Sequence, residues 1–168
     1  MSWQPALGRL FDIVPAWIPY DLQTARNGDW VSVKNCTGVT IVFFKGAGTD
    51  GDDPTLTLNK ATAVDGTGST TAAVIDTIYK KEGTLTSTGT WTAVSQTAAA
   101  TFVGSATSAQ SEGIYVIEVN PEALGAYDCL QIACGDVGSN AQLGCALYIL
   151  HGLKLAETPA NLTNSITD

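Results

Sequence analysis

The chain has 168 residues, a formal net charge of −8 and a pI near 4.4, and only 14% of its residues are charged. A length of this order suits one domain, which buries about 70% of its unfolded surface and needs neither disulfide nor metal to fold. The acidic balance, with eight scattered basic residues, argues against nucleic acid and against an anionic membrane surface, because affinity for both comes from lysine and arginine.

At the N-terminus Trp3, Leu7, Leu10, Phe11 and Val14 recur at helical spacing, and Pro5 stands where a first turn tolerates proline. This predicts a short N-terminal helix. Pro15 ends it, Pro15 to Tyr20 reads as an extended aromatic arm, and Asn27-Gly28 marks a turn. Residues 1–30 are therefore expected as helix and arm, packed on their own domain or docked on a neighbouring subunit. The same prolines break the apolar run and no basic stretch precedes it, so the segment does not read as a secretory signal. With no span of about 20 apolar residues either, the expected site of synthesis is a cytoplasm.

From Asp29 onward the pattern is β. Expected strands are Trp30–Lys34, Val39–Lys45, Thr55–Lys60, Thr71–Ile75, Thr90–Ser95, Ala99–Val103, Ile114–Asn120, Tyr127–Cys134 and Gln142–Leu150. Gly, Ser, Asp and Asn turns separate most of them. Val74 to Glu82 reads as one or two helical turns, and Asn120-Pro121 as the capped start of another. The expected fold class is all-β: an antiparallel β-sandwich or jelly-roll-like body over 31–155, with the N-terminal helix and arm before it and a flexible tail over 156–168. Ile114 to Val119 and Gln142 to Leu150 are apolar on both faces. Such strands lie centrally or are covered by another element, for which the N-terminal helix is the candidate.

Residues that carry chemistry are few. Gly46, Gly48 and Gly51 match the dinucleotide spacing and follow a strand, but Pro54 to Asn59 alternates like a strand where a helix is needed to hold a pyrophosphate. Asp50, Asp52 and Asp53 repel phosphate and depart from the calcium-loop pattern, with Ala61 where a glutamate is required. The single histidine, His151, lies about 20 Å along its strand from Cys145, beyond hydrogen-bond reach. Cys129 and Cys134 fall on opposite faces of one strand and share no metal. The four cysteines read as reduced, buried packing residues. No catalytic residue, metal ligand or cofactor is expected.

Taken in order, the N-terminal helix and arm, Val39-Thr-Ile-Val-Phe-Phe-Lys45 with the Gly46 to Pro54 loop, Ile114-Tyr-Val-Ile-Glu-Val119, and Leu124-Gly-Ala-Tyr-Asp-Cys-Leu-Gln-Ile132 resemble the small β-rich virion proteins of tailed bacteriophages. The likeness spans roughly 30–153. It implies a head decoration (cement) or minor capsid protein on the virion surface. The major capsid protein is then its partner, it forms a homo-oligomer with a trimer favoured, and it carries no enzymatic activity. Trp3, Leu7, Leu10, Phe11 and Trp17 are the candidate partner-binding anchors, because aromatic and apolar residues carry interface energy. The alternatives are a carbohydrate- or host-surface-binding module using Trp30 or Trp91, a tail or head-completion protein, and an enzyme.

Overall fold

The computed structural model describes residues 6–83, 89–104 and 111–162, so Trp3 and Pro5 lie outside the described residues. The strands run β1 (Phe11–Asp21), β2 (Arg26–Asn27), β3 (Val31–Ser32), β4 (Gly38–Lys45), β5 (Thr55–Ala61), β6 (Thr70–Thr71), β7 (Ile75–Gly83), β8 (Thr92–Ala99), β9 (Thr101–Val103), β10 (Glu112–Val119), β11 (Cys129–Cys134) and β12 (Leu143–His151). The fold is all-β and every strand pair is antiparallel.

The first sheet has the order β1-β12-β4-β10-β7-β8, and the second β2-β11-β5-β6, with β3 on β11 and β9 on β5. One hydrophobic core draws on both. Ile41, Phe43, Ile117 and Tyr148 come from the first sheet, and Leu56, Leu58, Leu130 and Ile132 from the second. Each such side chain stabilises the fold by about 1.5–3 kcal/mol when taken out of water. A run of tilted rings crosses the interior from Trp17 through Phe43 and Tyr115 to Phe102, at centroid spacings of 6.0, 5.9 and 6.0 Å.

The expected N-terminal helix is not formed among the described residues. The amides of Arg9, Leu10 and Phe11 all turn back to the Ala6 carbonyl, which closes a single turn. Phe11 then opens β1, an 11-residue strand that takes in the expected arm. Its position at the sheet edge explains how Pro15 and Pro19 are tolerated, since a proline there has no outer ladder bond to lose. Irregularities on either side of Trp17 turn both Ala16 and Trp17 inward, each no more than 3% exposed.

The segment expected to make one or two helical turns is strand β7, paired with both β10 and β8. The capped turn after β10 does form: Pro121–Leu124 is a 3-10 helix, and the Asn120 side chain accepts a hydrogen bond from the Glu122 amide. Past β12 the chain is tied to the body as far as Glu157. Asn35 exchanges two hydrogen bonds with Leu155, and the Glu157 amide donates to the Gly8 carbonyl at 2.7 Å.

Candidate interaction surface

The two sheets turn different outer faces to water. On the second sheet, cross-strand rows read Thr71-Asn59-Gln131 and Thr101-Thr57-Ala133. Two of these side chains are tied in by hydrogen bonds: the Asn59 amide donates to Gln131 Oε1 at 3.1 Å, and Gln131 Nε2 donates to the Gly28 carbonyl at 2.8 Å. That face is polar, with exposed threonines beside the bonded pair.

On the first sheet the outer rows are apolar. The pairing registers place Pro15, Leu147, Val42, Val116 and Tyr79 side by side across β1, β12, β4, β10 and β7. On one side of this central row stand Cys145, Phe44, Ile114 and Lys81; on the other stand Ile13, Ile149, Thr40 and Glu118. Alternation explains the layout. The neighbours of these residues along each strand (Ile41, Phe43, Ile117, Tyr148) fill the core, so the odd-even partners must point out.

Phe44 is 40% exposed, Tyr79 41%, Leu147 37%, Ile13 46% and Leu143 60%. Soluble chains seldom leave a contiguous apolar patch above a few hundred Å², and those that do use it for association. Strand spacings give this one an extent of about 20 Å by 20 Å.

The expected anchors are dispersed. Trp17 is 3% exposed and packs on Phe43, so its aromatic surface is spent inside the domain and it is corrected from an interface residue to a core residue. Leu7 and Phe11 form an isolated bridge and are half-buried, Leu10 is 62% exposed, and Trp3 lies outside the described residues. The residues that make the surface (Ile13, Val42, Phe44, Tyr79, Val116, Leu147) were not singled out beforehand. Their signal was the apolarity of both faces of β10 and β12.

Titratable groups elsewhere have structural duties. Lys45 is fully buried, and its Nζ donates to the Ser111 carbonyl at 2.5 Å; burial pushes its pKa down. Glu82 accepts from the Tyr115 hydroxyl at 2.5 Å and from Lys80 at 2.8 Å. In the acidic loop, Asp52 accepts from Asn140 Nδ2 at 2.9 Å, and burial raises the Asp53 carboxyl above its usual range. The Gly46 to Pro54 stretch leads straight into β5, which carries the chain from the first sheet to the second with no helix to hold a phosphate.

Among the described residues no three His, Cys, Asp or Glu side chains gather as a metal site. His151 and Cys145 share the outer face of β12 at its two ends. Trp30 rests against Gly66, while Trp91, 52% exposed, precedes β8 in the other sheet. A cleft of about 280 Å³ between the start of β1 and the C-terminal segment is lined by Asp12, Lys34, Asn35, Leu155 and Glu157, several of which hold that segment in place. No helix among the described residues is long and apolar enough to cross a membrane. The sequence matches no family model, and no curated protein matches it.

Proposed function

We propose that the protein is a structural virion component and not an enzyme. In this reading an antiparallel β-sandwich binds the exterior of a bacteriophage capsid as a decoration or minor capsid protein, with the major capsid protein as its partner. The observation that carries the reading is the apolar outer face of β12, β4, β10 and β7. A molecule that acts by covering area needs such a face and needs no assembled acid, base or nucleophile. What binds an assembled shell and not its free subunits shifts the equilibrium toward the shell, so reinforcement follows from association alone.

The resemblance to small phage virion proteins supplies the identity of the larger body, and the acidic surface suits a protein that stays off nucleic acid. The test is co-sedimentation with purified shells followed by electron microscopy of the decorated particles. Stoichiometric density on the outer surface is the expected result; a chain left wholly in the supernatant overturns the assignment. Exposed Trp91 favours a second reading, a sugar- or host-surface-binding module, which predicts glycan-array signals lost on Trp91→Ala.

A further inference from the structure

We propose that the apolar face of the first sheet closes on the same face of a second copy. The two copies are related by a two-fold axis running along the Pro15-Leu147-Val42-Val116-Tyr79 row. This inference rests on the reading of that face as an association surface and assigns it to a second copy, so that the dimer meets a shell through its remaining surface.

The charges select both the partner and the axis. The chain carries a net charge of −8, so two copies repel over most of their surfaces. The three outer rows hold one lysine and one glutamate, Lys81 and Glu118, and are otherwise uncharged. Neither residue has an ion-pair partner among the described residues. Lys81 lies level with Ile114, in the row on one side of the axis; Glu118 lies level with Thr40, in the row on the other.

Rotation about the central row exchanges these flanking rows. Lys81 of each copy then comes over the row of Glu118 in the other, offset by one strand spacing, about 5 Å, within reach of a lysine stem. Two symmetric ion pairs close opposite margins of the interface, as an isologous contact requires. A two-fold parallel to the strands leaves each charge facing its own row, where no opposite charge stands.

The apolar rows complement each other under the same operation. Cys145 comes over Ile149 and Phe44 over Thr40, while the Leu147 and Val116 side chains meet their own copies at the axis. Strands of the two copies run aligned and opposed, the common arrangement of packed sheets. The two faces together remove about 800 Å² of projected area from water, and side-chain relief brings this near the roughly 1,000 Å² that a specific interface has to clear.

Sedimentation equilibrium of the full chain between about 1 and 100 μM tests the contact. A monomer–dimer equilibrium in that range is expected. Leu147→Glu should abolish the dimer while leaving the circular dichroism spectrum unchanged. Lys81→Glu and Glu118→Lys should each weaken it about tenfold, because each sets like charges together at both margins, and the double exchange should restore it to within about twofold. If Leu147→Glu fails to fold, the charge exchange still decides, since it alters no apolar contact.

A wild-type chain that stays monomeric at about 100 μM, one that forms trimers, or a double variant no tighter than the singles overturns the two-fold. Shell binding measured on the same samples separates the two readings. A dimer that ignores shells overturns the virion assignment and leaves this contact standing; a shell-bound trimer does the reverse.

Discussion

Tyr148 on β12 reaches through the core to the opposite sheet, where its phenol oxygen accepts the Ile132 amide at 2.8 Å and donates to the Asp29 carbonyl at 2.9 Å. The contact fills a gap in a ladder. β2 covers Ala133 and Cys134, and β3 covers Cys129 and Leu130, but between them the chain at Gly28 to Trp30 leaves β11 and the Ile132 amide has no strand partner. Gly28 permits the detour, because a Cβ there would lie 2.6 Å from the Ile132 carbonyl oxygen. Tyr148→Phe keeps the ring and removes the bridge, which leaves two backbone groups without partners. The expected loss is about 2–3 kcal/mol, a fall of roughly 5–10 °C in Tm. A change below about 0.5 kcal/mol in urea titration would show that water replaces the hydroxyl at no cost.

The N-terminal strand is integral to the body, and this sets the outcome of truncation. Deleting residues 2–9 removes a single turn and its bond to Glu157, and should leave a cooperative unfolding transition. Deleting residues 2–20 strips the edge of the first sheet, exposes Tyr148 and Leu150, and empties the Trp17 site beside Phe43. Loss of a buried tryptophan alone costs about 3–5 kcal/mol, so the longer truncation should not fold. Near-ultraviolet circular dichroism of both proteins checks this, and a folded 2–20 deletion would show that β1 is dispensable.

What was legible in the chain follows from where the alternation of side chains is undisturbed. β4, β5, β10 and β12 have regular registers with their central neighbours, so their runs of strand-forming residues stay in phase and each was readable. β1 and β7 carry irregularities, between Pro15 and Trp17 and between Ile75 and Thr77. A bulge moves two side chains to one face and converts a period of two into a spacing that imitates a helix. Ile75 and Ile78 both point inward for this reason. The apolar outer face was half visible, because β10 and β12 are apolar on both faces although none of its residues was singled out. Its cover was assigned to a helix that the bulged β1 replaces.

The polar group at one end of the first sheet can be separated into its parts. Lys45 is fully buried, and Glu82 links the Tyr115 hydroxyl to Lys80. A buried charge contributes little net stability, but removing one partner leaves the others uncompensated. Lys45→Met takes away the charge that faces Glu82 and Asp53 and the donor to the Ser111 carbonyl, so it should cost about 3 kcal/mol, as should Glu82→Ala. Chemical denaturation of the two variants is the comparison, and a loss below about 1 kcal/mol for Lys45→Met would show that its charge does not compensate Glu82.

Burial of thiols sets the alkaline limit of the fold. Desolvation raises the Cys36 thiol from 9.0 to about 11 and the Cys134 thiol to about 12, and it raises the Tyr148 phenol above its ordinary 10.0. Above pH 9 the unfolded chain releases protons that the folded chain keeps. Their stabilisation is thus complete below pH 9 and is lost as pH rises through the folded values, at up to about 1.4 kcal/mol per pH unit for each thiol. Lys45 acts in the opposite sense over the interval just below 10.5, because burial lowers its pKa and the folded chain there holds the fewer protons. Two acidic thiols and a phenol outweigh one amine, so Tm should fall progressively from pH 9 to pH 11. Cys134→Ala removes one of the raised groups and should flatten that decline by about one thiol's share. An unchanged slope in the variant would place the proton release elsewhere in the chain.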